Sequence, residues 1–241
     1  MAGIIIAGGG ATGTYLAAHF ARSRADTLVL ARGSRLARLQ SDGAVVVRKG
    51  AAIRTPVIAV ADCTGLPAAA AILLCTKAGD LRAVLDRLAP AVDDRTVFVT
   101  VQNGVDAPGI VAARFPGGQV IASRLHGFFE MASNAVHHVG VEPSLVLGPW
   151  PPSGMAAAMD IVARCRHAGI TAAPSPDIVR DLWEKLVLTS AFGGVGAATG
   201  LAQGQMMQDE RASTMLEQAI HEVVKLANLR GIGRASCRER V

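Results

Sequence analysis

The chain has 241 residues, 51% of them hydrophobic and 18% charged, which suits one large domain, or one full domain and part of another, and excludes a disordered chain. Its net charge is +5 and only 4% of its residues are aromatic, poor material for base stacking, so a nucleic-acid partner is not expected. A mild positive bias fits an anionic cofactor and an acidic small-molecule substrate.

Ile4 to Ala7 reads as a short buried strand, and Gly8-x-Gly10-x-x-Gly13 follows it without a spacer. Ala11 to Ser23 then reads as a helix, with Tyr15, Leu16, His19 and Phe20 on or beside one face. This order is the one a dinucleotide site requires. Gly8 permits the tight turn, Gly10 leaves room for a pyrophosphate, and Gly13 lets the helix pack close to the strand. The helix's free N–H groups and the positive end of its dipole would face the phosphates, and Gly8, Gly9, Gly10, Ala11, Thr12 and Gly13 are the candidate cofactor-binding residues. The plain alternative is an ordinary glycine-rich turn.

Thr27 to Ala31 is the second strand. At its end an Asp or Glu would hold a ribose 2′-hydroxyl, but the chain has Arg32-Gly33, with Arg35 and Arg38 close behind and no acid. An arginine there can pair with a 2′-phosphate, which favours NADPH/NADP+ over NAD; a solvated basic loop is the alternative. Val45 to Val47 and Ile53 to Val60 are candidate short strands around the turn Arg48-Lys49-Gly50. Ala68 to Thr76 holds the next buried strand, ending at Thr76-Lys77-Ala78. Asp80 to Leu88 is helical, and Thr96 to Val101 is a strand ending at Gln102-Asn103-Gly104.

Strands alternating with helices predict a doubly wound parallel sheet, in which ligands sit beyond the carboxyl ends of the strands. Gly8–Gly13, Arg32, Lys77 and Asn103 all fall at such ends, so one crevice can gather them. Taken singly, Lys77 reads as a solvent-facing cap and Asn103-Gly104 as a turn dipeptide.

Val120 to Leu147 is extended with turn signals, and Pro149 to Gly154 is a loop. His137 and His138 are neighbours on that extended stretch and point to opposite faces, so no shared metal is expected. Met155 to Ala168 reads as a helix, followed by Ile170 to Ala173 and the linker Pro174 to Asp177. Asp177 can cap a helix from Ile178 to Leu188, on which Leu182, Trp183, Leu186 and Val187 are apolar and Lys185 stands among them. Asp181, four residues before Lys185, offers it a surface ion pair as the bland alternative. Phe192 to Gly200 is weak as an isolated helix. Met206 to Arg230 is helical again, with Met207, Leu216, Ile220, Val223, Val224 and Ala227 available for burial.

No run of about eighteen apolar residues suggests a membrane span, and the first residues lack a basic leader. Cys63, Cys75, Cys165 and Cys237 are scattered without metal or redox spacing. A cytoplasmic protein with reduced thiols is expected.

The residues Gly8-x-Gly10-x-x-Gly13, Leu30-Ala-Arg-Gly33, Cys75-Thr-Lys77, Val101-Gln-Asn-Gly104 and Trp183-Glu-Lys-Leu186 together resemble the ketopantoate reductase (2-dehydropantoate 2-reductase) family from Ile4 to about Leu229. The resemblance implies an N-terminal Rossmann domain, residues 1–174, followed by an all-helical substrate and dimerisation domain, residues 175–231. It implies NADPH-dependent reduction of 2-dehydropantoate to pantoate, with Arg32 on the 2′-phosphate and Lys77 beside the cofactor. Asn103 would hold nicotinamide and substrate, and Lys185 would be acid and substrate anchor. Thr189 and Gly193 stand where the family commonly carries asparagines, so another small 2-oxo acid is the alternative substrate, and a non-catalytic NADPH-binding protein the alternative function. The helical domain is also the candidate homodimer surface. Family members usually continue further, so the helical domain is expected to be truncated and its substrate site incomplete, with an inactive fragment as the alternative to a working enzyme. Residues 232–241 resemble translated sequencing-adapter DNA and are expected to be a foreign tail.

Overall fold

A computed structural model describes residues 3–48, 50–151 and 153–232. In chain order it begins β1 (Ile4–Ala7), α1 (Ala11–Arg22), β2 (Thr27–Leu30), α2 (Gly33–Asp42), β3 (Ala44–Arg48), β4 (Ala51–Thr55) and β5 (Ile58–Val60). There follow β6 (Ala71–Leu74), α3 (Leu81–Leu88), β7 (Val97–Thr100), α4 (Ala107–Arg114), β8 (Gln119–Ala132) and β9 (Ala135–Pro149). The last elements are α5 (Met155–His167), β10 (Thr171–Pro174), α6 (Ile178–Thr199), α7 (Gln203–Gln208) and α8 (Glu210–Leu229).

All four residues of β1 are buried, because its two sides face two separate cores. Ile4 and Ile6 pack with Leu16 and Phe20 of α1 and with Ile161 and Val162 of α5. Ile5 and Ala7 pack with Leu81, Leu85 and Leu88 of α3 and with Val111 of α4. A strand covered on both faces reads as an unbroken apolar run, which is the pattern of a parallel sheet. The pairs β5–β2, β2–β1, β1–β6, β6–β7 and β7–β8 are all parallel. The chain winds outward from β1 on one side and then on the other, so the topological switch lies between β1 and β6.

The α/β class holds, but the sheet is not parallel throughout. β8 and β9 form a long antiparallel hairpin, and β3 pairs in parallel with β9 and antiparallel with β4. The hairpin reverses in two residues, Ser133 and Asn134, with φ of 46° and 65°, the left-handed pair that matches strand twist. The expected strand Ile53 to Val60 is two: Pro56 separates β4 from β5, which pair with different partners. Arg32 to Asp42, open to a reading as a basic loop, carries α2, and α4 starts at Ala107, after the Asn103-Gly104 turn and its N-cap Asp106; the sequence predicts neither helix.

His19 of α1 is buried and its Nδ1–H donates to the Ala168 carbonyl at 3.0 Å, with the Tyr15 ring 4.5 Å away between centroids. Burial lowers its pKa from the ordinary 6.5, opposed in part by that hydrogen bond. At pH 8 folded and unfolded chains are both neutral here. As pH falls below 6.5 the unfolded chain takes up a proton first, so stability declines until the folded-state pKa is passed. Urea midpoints measured between pH 8 and 5 should fall for the wild type and fall less for His19→Gln; identical slopes would exclude His19 as the cause.

By their contacts the described residues fall into two units, those within 3–102 and 106–178, and those within 103–105 and 179–232. In the second unit α6 runs straight through the glycine-rich stretch that was expected to be weak. Gly196 lies against Met206, whose Cε would be 3.5 Å from a Cβ at that position. Ala191, Val195, Met206, Ala212 and Leu216 form the local core, and this packing offsets the roughly 1 kcal/mol each glycine costs a helix. Gly200, with φ of 71°, ends the helix. The single helix expected from Met206 is interrupted at Asp209, whose Oδ1 accepts from Ala212 N at 2.9 Å to cap α8. As a result Met206 is buried and Met207, expected inside, is 48% exposed. The tail expected beyond Ile232 lies outside the described residues.

Candidate functional site

The site is assembled where β1, β2 and β6 end side by side. Gly8 leaves β1 with φ of 119°, and a Cβ there would come within 2.9 Å of the Cys75 carbonyl carbon at the end of β6. Only glycine meets both demands. A Cβ on Gly13 would lie 1.8 Å from the Gly8 carbonyl oxygen, so the absence of a side chain is what lets α1 start so close to β1. A Cβ on Gly10 would meet no protein atom within 4 Å, so that side of the loop is open to a ligand. Gly10 is also the N-cap of α1, with no side-chain cap on the helix. The first-turn N–H groups of Ala11, Thr12 and Gly13 therefore begin the helix as an anion site, and the loop fits a dinucleotide pyrophosphate.

Two substitutions separate these roles. Gly13→Ala should destabilise the fold by about 3 kcal/mol through overpacking, read as a lower urea midpoint. Gly10→Ala should keep the midpoint and lower dinucleotide affinity in a fluorescence titration. Equal midpoints for the two variants would contradict the packing role of Gly13.

Gly9 was assigned only a backbone contact, yet its missing Cβ also matters: it would stand 2.9 Å from Leu39 Cδ1 and 3.2 Å from Ala31 Cβ. The carbonyl of Gly9 accepts from Thr14 Oγ1 at 3.1 Å and from Arg35 Nε at 3.0 Å. No local sequence signal ties Thr14 of α1 or Arg35 of α2 to this carbonyl, because the sequence does not predict α2, which aims Arg35.

Arg32 is the N-cap residue of α2 and 72% exposed, and its Nη2 donates to Asp80 Oδ1 at 3.0 Å. The sequence reading of this strand end found no acid; the fold brings one there from the end of β6. An exposed pair of this kind contributes at most about 1 kcal/mol and is open to exchange for another anion. Lys77 is exposed at the start of the short 3-10 turn Ala78–Asp80, with no side-chain cap bond. Cys75 beside it carries a thiol pushed up to about 12 by burial, so it stays protonated and inert. Gln102, at the end of β7, is buried and its Nε2 lies 3.5 Å from Thr76 Oγ1.

Asn103 follows β7, is exposed, and belongs to the second unit; Gly104 after it has φ of 103° and makes the turn. That unit also holds Lys185, Thr189 and Gly193 on α6. Leu182, Trp183 and Val187 are buried and set the rotation of the helix, and Lys185 is half-buried. Thr189 Oγ1 donates back to the Lys185 carbonyl at 2.9 Å, and Gly193 is exposed with open space around its Cβ direction. Among the described residues no cluster of three or more His, Cys, Asp or Glu is placed to hold a metal, and no helix is long and apolar enough to cross a membrane.

Residues 4–152 match the family described as ketopantoate reductase PanE/ApbA, and residues 177–241 match its C-terminal part. The chain belongs to the ketopantoate reductase family. A 2-dehydropantoate 2-reductase of Mesorhizobium japonicum is 30% identical over 95% of this chain and 77% of its own length. The crystal structure of 2-dehydropantoate 2-reductase from Geobacter metallireducens superposes with a TM-score of 0.87 at 24% identity, over 97% of this chain and 78% of that one. A ternary structure of D-mandelate dehydrogenase with NADH and anilino(oxo)acetate has the same fold, with a TM-score of 0.86 at 19% identity over 95% of this chain and 74% of that one. Membership of the ketopantoate reductase family makes this chain an oxidoreductase with a dinucleotide site at its N-terminus and a helical C-terminal part.

Proposed function

We propose that the protein reduces 2-dehydropantoate to pantoate with NADPH, in the cytoplasm, as a step of pantothenate synthesis. The observation that carries this reading is the glycine loop between β1 and α1, open at Gly10, with Arg32 at the end of the neighbouring strand β2. Residues 1–174 bind the cofactor in this reading, and residues 175–231 supply the substrate groups. The first-turn N–H groups of α1 hold the pyrophosphate. Arg32 exchanges Asp80 for the 2′-phosphate, and Lys77 adds positive charge beside it. NADPH supplies the hydride when bound. Reduction of the ketone carbon leaves charge on its oxygen, and Lys185 gives that oxygen a proton. In its cationic form Lys185 also pairs with the carboxylate of the 2-oxo acid. Asn103 hydrogen-bonds nicotinamide and substrate, and Thr189 and Gly193 line the substrate side of α6.

The test is NADPH oxidation by the purified chain with 2-dehydropantoate, followed at the absorbance of the reduced nicotinamide. Turnover is expected with this substrate above other small 2-oxo acids. The family's asparagine positions are Thr189 and Gly193 here, which favours another small branched 2-oxo acid as the second reading. A clear preference for such an acid would establish it. NADPH binding without turnover on any 2-oxo acid would indicate a binding protein instead. The exposed Met207, Met215, Leu226 and Leu229 support a homodimer through the helical part, which sedimentation would show as a single dimer boundary.

A further inference from the structure

We propose that Arg35 is a positioning residue of the phosphate loop: together with Thr14 it holds the Gly9 carbonyl, and so turns the following Gly10 N–H toward a bound pyrophosphate. The inference rests on the dinucleotide reading and adds a residue that the family markers in this sequence do not include.

One observation combines with two rules of backbone geometry. Gly9 O takes two side-chain donors, Thr14 Oγ1 at 3.1 Å and Arg35 Nε at 3.0 Å, one from α1 and one from α2. In a planar trans peptide the carbonyl and the next N–H point in opposite directions. Tying the Gly9 oxygen toward the helices therefore fixes the Gly10 N–H away from them. Glycine loops are otherwise free to rotate such peptides, because no Cβ restrains them.

Arg35 is itself held. Its Nη2 donates to Met131 Sδ at 3.0 Å on β8, and the side chain is half-buried. No carboxylate lies within ion-pair distance of it among the described residues. Burial and the neighbouring Arg38 lower its pKa, though an arginine stays charged in any case. A partly desolvated guanidinium with a carbonyl and a thioether as partners leaves net positive charge beside the loop, which a pyrophosphate would neutralise. Arg32 is the opposite case, exposed at the strand end and paired with a carboxylate. The two arginines thus divide the cofactor. Arg32 reads the feature that differs between NADPH and NADH, and Arg35 prepares the part they share.

Dissociation constants for NADPH and NADH, measured by fluorescence titration on the 241-residue chain, test this. Arg35→Met and Arg35→Lys should each weaken both cofactors by the same factor, about tenfold, the size expected for a hydrogen bond from a charged donor. Circular dichroism shows whether each variant is folded; should the Arg35 variants not fold, Thr14→Val, which removes the other donor, is read by the same criterion. Unchanged constants would overturn the proposal. Loss confined to NADPH would make Arg35 a 2′-phosphate reader and overturn it as well. Full recovery in Arg35→Lys would show that charge alone matters and not the held peptide. Wild-type protein that binds neither cofactor would remove both this inference and the dinucleotide reading beneath it.

Discussion

Lys185→Ala is expected to lower kcat for NADPH-dependent reduction of 2-dehydropantoate by about 10²–10⁴-fold, the usual contribution of a positioned general acid, while NADPH affinity stays unchanged. Leu182, Trp183 and Val187 are buried along one side of α6, which leaves Lys185 half-buried beside them. Lys185→Arg separates the two roles assigned to this residue. Arginine keeps the charge that pairs with a carboxylate but does not release a proton at working pH. It should therefore recover KM more than kcat. Unchanged turnover in Lys185→Ala would take this residue out of the chemistry, whatever happens to cofactor binding.

Arg32→Ala is expected to weaken NADPH by roughly 10–100-fold, the range for a charge-assisted hydrogen bond lost, and to leave NADH nearly untouched. The ion pair with Asp80 makes a second, opposite prediction. Because Asp80 Oδ1 sits 3.0 Å from Arg32 Nη2, a 2′-phosphate must displace the carboxylate and also face its charge. Asp80→Asn should then tighten NADPH selectively and raise the ratio of NADPH to NADH affinity. Side-by-side titration of both cofactors against wild type, Arg32→Ala and Asp80→Asn decides the matter. Equal affinities of the wild type for the two cofactors would remove the 2′-phosphate argument. An Asp80→Asn variant with lower NADPH affinity would mean that the carboxylate positions Arg32 and does not compete with the phosphate.

The parts of the fold that were legible in the sequence are those decided within a few residues. The run Ile4 to Ala7, the glycine spacing and the helix after it gave β1, the loop and α1 within a residue of their observed bounds. The turn at Gly8 and the close packing at Gly13 follow from the lack of a Cβ, and the space around Gly10 is open. The glycine-rich end of α6 is helical where local sequence predicts a weak helix, for the converse reason. Its intrinsic propensity is poor, and only the packing of Val195 and Gly196 against Met206 keeps it helical.

By itself, then, the amino-acid order carried the family's markers, the strand-and-helix alternation that sets the α/β class, and the glycine cradle at the N-terminus, where backbone sterics and hydrophobic periodicity act between near neighbours. Only the tertiary structure decided what the cradle's charges do. Arg32 meets Asp80 from 48 residues away, and Arg35 meets Met131 from 96 residues away. His19 finds its carbonyl 149 residues further along. Such partners are set by which strands become neighbours in the sheet, and no local pattern of residue types encodes that choice.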